Sequence, residues 1–184
     1  LFSKMRIAGA SRDFNQVTYT FDSPGARTRS QVTLTAFRPA FEGDTVTLVE
    51  TELTALEDVD VRSLDHVRLA MLPDLAANRR FTWLDGAGLQ TGDYVYEGDM
   101  PAVTGHLAAA GGAMLWPSEV GSLVVLPLDG QAYDATFARL TKGNAREAIT
   151  VASAPGRVAR GATLRQRFAV VLHQGGTAGP EALL

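Results

Sequence analysis

The chain has 184 residues, 46% of them apolar, with a formal net charge of −3 and no cysteine. That size suits one domain with a sizeable core, and the lack of cysteine excludes a disulfide framework, a thiol nucleophile and a thiolate metal site. No apolar run approaches the roughly 18–20 residues of a membrane-spanning helix, and so small a net charge points to no particular partner.

The first residues, Ser3-Lys4-Met5-Arg6-Ile7, read as a strand. With Leu1 in place of a methionine and no signal-peptide pattern, the chain is expected to be part of a longer polypeptide. Phe14 to Phe21 alternates, with Val17, Tyr19 and Phe21 on one face and Thr18 and Thr20 on the other. After the turn signal Asp22-Ser23-Pro24-Gly25, alternation resumes from Arg29 to Phe37, with Val32, Leu34 and Ala36 opposite Thr33, Thr35 and Phe37. These two runs predict an antiparallel pair whose Val/Tyr/Phe and Val/Leu/Ala stripes pack inward.

Pro39 and Glu42-Gly43-Asp44 lead into a Thr/Val-rich strand from Thr45 to Leu53, followed by strands at Val59–Val61 and His66–Leu72. Thr54-Ala55-Leu56-Glu57 has the spacing of a capping box, but the period of two around it favours strand. Leu72 to Asn78 is compatible with one helical turn, and Arg80–Leu84 and Asp93–Glu97 read as strands around a Gly-rich loop. Pro101 to Ala110, closed by Gly111-Gly112, is the best helix candidate, or else an excursion loop. Strands follow at Ala113–Trp116, Ser122–Leu128, Gln131–Leu140, Ala148–Ala152 and Ala162–His173, with Asp129-Gly130 as a hairpin turn. The Gly/Ala-rich residues 174–184 are expected to form a flexible tail.

Many short strands, with turns every 8–12 residues and no repeated helices, predict an all-β fold. The expected architecture is an antiparallel β-sandwich, large and with at most one or two short helices, forming a single domain over residues 1–173.

Charge is unevenly spread. Acids crowd the stretch from Glu42 to Asp65 (Glu42, Asp44, Glu50, Glu52, Glu57, Asp58, Asp60, Asp65), where the one base is Arg62. Bases crowd the stretch from Arg139 to Arg167 (Arg139, Lys142, Arg146, Arg157, Arg160, Arg165, Arg167), where the one acid is Glu147. Two solvated faces of opposite sign that pair with each other are the simplest expectation. Arg165 and Arg167 fall on one face of a strand, where paired guanidinium groups also suit carboxylates or sulfates.

The three histidines, His66, His106 and His173, show no metal-ligand spacing, and no metal or cofactor is expected. No nucleophile-elbow, phosphate-loop or dinucleotide motif occurs. The Arg-rich stretch lacks the interleaved aromatics of a nucleic-acid binder, so neither nucleic acid nor membrane is expected as a partner.

Recognition chemistry concentrates between Phe81 and Leu128. Trp83, Trp116, Tyr94 and Tyr96 offer flat rings on which sugars can pack, and Asp85 and Glu119 can accept hydrogen bonds from hydroxyls. Together with Arg165 and Arg167 they form the expected ligand-binding set. No catalytic residue is identified.

The long Thr/Val-rich strands Gln31 to Phe37 and Thr45 to Leu53, with the late strand Gly161-Ala162-Thr163-Leu164-Arg165-Gln166-Arg167-Phe168, resemble the β-sandwich domains of carbohydrate-active enzymes, including the large sandwiches of the galactose-mutarotase-like group. The resemblance implies a domain that binds or frames a polysaccharide or oligosaccharide within a glycoside hydrolase or lyase. Catalysis would then lie in an adjoining domain, and the setting would be secreted or periplasmic. A structural or assembly sandwich of a virion, appendage or cell-surface protein is the alternative.

Overall fold

The structure, a computed structural model, describes residues 4–10, 14–37, 44–71, 80–93, 103–109, 111–118, 121–139 and 147–174. These residues form β1 (Lys4–Ala10), β2 (Phe14–Asp22), β3 (Thr28–Phe37), β4 (Thr45–Ala55), β5 (Val59–Val61), β6 (Leu64–Met71), β7 (Arg80–Asp85) and β8 (Gly88–Asp93). There follow β9 (Val103–Leu107), β10 (Ala113–Ser118), β11 (Gly121–Pro127), β12 (Tyr133–Arg139), β13 (Glu147–Ser153), β14 (Gly156–Val158) and β15 (Thr163–Gln174). A 3-10 turn at Pro24–Ala26 joins β2 to β3, and the described residues contain no α-helix.

Nine strands form one antiparallel sheet in the order β1-β2-β3-β4-β15-β11-β10-β7-β8, and four form a second in the order β6-β13-β12-β9. The short β5 and β14 pair separately. Residues directly opposite on paired strands share a face, so the register lays apolar rows across the large sheet. One row is Leu34–Val49–Phe168 and another is Val170–Val125–Ala113–Trp83. The small sheet answers with Val67–Val151–Ala135, and with Phe137 and Ile149. Between the two lies the core, where Phe81, Phe137, Phe168, Ile149 and Val151 are fully buried.

The expected face of β2 and β3 points the right way, because Val17 opposes Leu34 and Tyr19 opposes Val32. Only Val32 and Leu34 reach the core, however, and the Val17, Tyr19 and Phe21 stripe stays half-buried. The cause is sheet size, since four strands cannot cover nine. Thr35, expected on the wetter face, is buried and accepts a 2.9 Å hydrogen bond from the side-chain amide of Gln16. The run Leu123-Val124-Val125-Leu126 lies in β11. Val124 is as buried as Val125, although the two point to opposite faces, so β11 is covered on both sides.

The helix expected within Pro101–Ala110 is a strand instead over Val103–Leu107, paired with β12 through Leu107↔Tyr133 and Gly105↔Ala135. Leu107 and Gly105 both face inward, and period-two burial outweighed the proline and glycine signals at the ends. Gly105 is required there, because a Cβ at this position would come within 2.5 Å of the Trp83 ring. The helical turn expected over 72–78 and the tail over 175–184 lie outside the described residues, as does most of the strand expected at 93–97. Two strands had no forecast, β8 within the Gly-rich loop and the short β14.

These packing differences order the cost of truncation. Phe168→Ala should lower stability by about 3–5 kcal/mol and Leu34→Ala, at its half-covered site, by about 1–2 kcal/mol. Gly105→Ala should cost about 1–3 kcal/mol through overlap with Trp83. Urea unfolding of the three variants measures the ranking.

Candidate functional site

At one end of the sandwich the two sheets part around a cleft of about 750 Å³, within the roughly 300–1,000 Å³ of ordinary ligand sites. The β11–β12 connection and the start of β12 supply Asp129, Gln131, Tyr133 and Asp134. From β9 come His106 and Leu107, from the end of β13 Ser153, from the β13–β14 connection Pro155, and from β15 Thr163, Arg165 and Gln166.

Asp129 holds the floor in place. Its Oδ1 accepts the Gln131 N–H at 3.1 Å, which closes the Asp129-Gly130 turn. Its Oδ2 accepts the Tyr133 hydroxyl at 2.6 Å and the Arg167 N–H at 3.3 Å. Burial, reinforced by the hydrogen bond to Asp129 and by its charge, pushes the Tyr133 phenol well above its ordinary range, so it stays a neutral donor.

Behind this floor lies His66, and a β-bulge puts it there. Val67 pairs with Val151 and Asp65 with Ala152, so His66 is the unpaired extra residue and turns inward beside Val67. Its ring stacks on Phe168 with centroids 5.6 Å apart and meets Tyr133 edge-on at 5.3 Å. Its Nε2 lies 2.7 Å from Ser153 Oγ. Burial lowers the His66 pKa to about 4, opposed by the nearby negative charges of Asp129 and Asp65, so the imidazole is neutral at pH 7. At the exposed rim, His106 donates from Nδ1 to Asp134 Oδ1 at 2.6 Å, a cross-strand pair set by the β9–β12 register.

Arg165 and Arg167 are the members of the expected ligand set that the structure brings side by side. Each also meets a carboxylate on β4: Arg165 Nε lies 2.8 Å from Glu52 and Arg167 Nε 3.2 Å from Glu50. With Arg157 on Asp58 at 3.1 Å, the basic and acidic stretches pair across the fold. A smaller hollow of about 270 Å³ opens over this pairing, among Gln31, Thr33, Glu50, Glu52, Arg165 and Arg167.

Of the remaining members, Trp83 and Asp85 lie apart from the cleft. Trp83 packs inward, 5.3 Å from the Phe81 ring, and Asp85 closes the β7–β8 turn by accepting the Ala87 N–H at 2.7 Å. Trp116 lies on β10 opposite Arg80, beside a register shift between Leu115 and Ser118 that accommodates Pro117 within the strand. Tyr94, Tyr96 and Glu119 lie outside the described residues. Sequence reasoning missed Asp129, Tyr133, Ser153 and the inward His66. A turn-forming Asp-Gly next to an aromatic-led strand was the available signal for the first two, and a bulge leaves no local signature for the last.

No protein-family model matches the chain, and no curated protein matches it in sequence. Solved structures do match in fold. Over 96% of its length the chain superposes on the galactosidase domain of an alpha-galactosidase–sucrose kinase, with a TM-score of 0.64 and 8% identity. Over 95% it superposes on the alpha-galactosidase of Lactobacillus brevis (TM-score 0.65, 10% identity), and over 96% on a heparan sulfate lyase of Pedobacter heparinus (TM-score 0.58, 11% identity). The fold is that of the β-sandwich domains of carbohydrate-active enzymes. The chain spans about a quarter of the length of each of these proteins, 28%, 27% and 23% in that order. Among the described residues no group of His, Asp and Glu gathers as metal ligands.

The buried His66 makes stability depend on pH. Its folded pKa of about 4 lies below the 6.5 of a free histidine, so the unfolded chain binds more protons between these values. Stability should be full above about pH 6.5 and decline as pH falls toward 4, by on the order of 3 kcal/mol. Urea unfolding from pH 7 to pH 4 should show this slope, and His66→Phe should flatten it.

Proposed function

We propose that this chain is a carbohydrate-binding or substrate-framing domain of a polysaccharide-active enzyme, a glycoside hydrolase or lyase, that holds a sugar segment in the cleft at the end of the sandwich. The cleft carries this reading, because its dimensions suit a small ligand and its lining residues bring carboxylate, hydroxyl and amide groups together with apolar surface at Leu107 and Pro155. Sugars need that mixture, since hydroxyls require donors and acceptors while C–H faces require apolar contact. The fold shared with domains of two galactosidases and a heparan sulfate lyase supports it further.

Asp134 and Gln131 accept and donate hydrogen bonds to sugar hydroxyls in the cleft, and Arg165 and Arg167, over the smaller hollow, meet the carboxylate or sulfate of an acidic sugar. Trp116, helped by Tyr94 or Tyr96, serves as a stacking ring for the sugar, with Asp85 or Glu119 accepting from its hydroxyls. An adjoining catalytic domain supplies bond cleavage. A single stacking platform contributes about 1–2 kcal/mol, so the isolated chain binds weakly and acts by holding substrate near that chemistry.

Isothermal titration with neutral and acidic oligosaccharides tests the reading. Asp134→Asn should weaken binding about three- to tenfold, and Arg165→Ala should weaken only acidic ligands, with affinity falling as salt rises. Trp116→Ala separates stacking from cleft binding. A chain that binds no glycan and instead forms concentration-dependent oligomers would favour the structural-sandwich alternative.

A further inference from the structure

The hydrogen-bonded pair at the back of the cleft is not needed for holding a sugar. Ser153 lines the cleft, while its Oγ lies 2.7 Å from the Nε2 of a histidine buried behind it. We propose that Ser153 and His66 form an acyl-transfer dyad that hydrolyses carboxylic esters of sugar hydroxyls, Ser153 as nucleophile and His66 as general base. The acyl chemistry stands on the geometry of the pair, and the sugar as its carrier rests on the function proposed above.

Three features make the pair competent. The base must be neutral to accept a proton, and burial keeps His66 so, while making it a weaker base than a free imidazole. Its ring must be held toward the hydroxyl, and stacking on Phe168 and edge contact with Tyr133 fix it there, in the place of the carboxylate that orients such a histidine elsewhere. Burial disfavours the imidazolium formed in the reaction, and the charges of Asp129 and Asp65 offset part of that cost. Tyr133 also faces the ring and stays an uncharged phenol.

The reaction balances with water as co-reactant. Ser153 Oγ bonds to the acyl carbon while its proton passes to His66 Nε2, giving a tetrahedral oxyanion. Collapse breaks the bond from carbon to the sugar oxygen, which leaves with the proton from His66, and Ser153 stays acylated. Water then attacks the same carbon, gives its proton to His66, and releases the carboxylic acid as Ser153 Oγ regains a proton. Gln166, buried on the inward side of β15, lines the same cleft, and its side-chain amide carries N–H donors suited to the oxyanion.

The test treats the folded chain at pH 7 with phenylmethylsulfonyl fluoride and, separately, with p-nitrophenyl acetate. Peptide mass mapping should place the sulfonyl adduct on Ser153, and Ser153→Ala should abolish it. Hydrolysis of p-nitrophenyl acetate by the parent should exceed that by Ser153→Ala about a hundredfold. The acid limb of the parent's rate should fall near the His66 value of about 4 rather than near 6.5, a readout that a merely structural hydrogen bond would not move and that does not require a His66 variant to fold. No adduct on Ser153, or equal hydrolysis by parent and Ser153→Ala, overturns the dyad. Release of acetate from acetylated oligosaccharides supports the sugar assignment. Turnover of p-nitrophenyl acetate without that release keeps the dyad and overturns the sugar as carrier, and the titrations above report separately on glycan binding.

Discussion

The closure of this sandwich depends on the burial of one ring. Phe168 sits in β15, near the middle of the large sheet, fully removed from solvent, and touches His66 and Tyr133 of the small sheet. Those two residues in turn hold Ser153 and Asp129. Asp129 reaches back to the backbone N–H of Arg167, the residue before Phe168. Core, cleft floor and β11–β12 turn are therefore one closed circuit of contacts rather than neighbouring features. Energies within such a circuit do not add, because each member orients the next.

Electrostatics plays a different part. The ion pairs between β4 and β15 join half-exposed side chains, and pairs of that kind add little to stability. Their value lies in register. Glu52 faces Arg165 and Glu50 faces Arg167 only in the observed pairing, whereas a slip of one residue would send charges inward and Phe168 outward. The segregation of acids and bases along the chain thus becomes pairing between two adjacent strands, and the basic stretch meets partners within its own fold.

Much of this architecture is legible in the sequence because half-buried strands write their period directly. Val17/Tyr19/Phe21 and Val32/Leu34 name their face correctly, and Gln31 to Phe37 and Thr45 to Leu53 already carry the texture of the sandwich to which the fold corresponds. How deeply a face is buried is not local, since it depends on whether the second sheet extends that far. The strand at Val103–Leu107 was obscured because its inward positions are Gly105 and Leu107, and a glycine chosen for the Trp83 ring looks like a break when Trp83 is not in view. Arg165 and Arg167 were visible as a pair because they alternate on one strand. The cleft residues come from β9, β12, β13, the start of β15 and the turn before β12, and only the register of the small sheet and its packing on β15 assemble them.

The division of labour inside the cleft follows from which groups are already committed. Asp129 is the most central carboxylate, yet both of its oxygens accept hydrogen bonds from the protein. A group so engaged positions its neighbours, and drawing it into proton transfer would dismantle the floor. The exposed groups at the rim, His106, Asp134 and Gln131, can reorganise around a ligand at little cost, so selectivity belongs to them. Between floor and rim stands Ser153, which lines the cleft while its hydroxyl rests on a histidine that the core has stripped of water. Preorganised depth and adaptable edge are the two properties a binding site on a rigid scaffold requires, and here the same inter-sheet packing that stabilises the fold supplies the first of them.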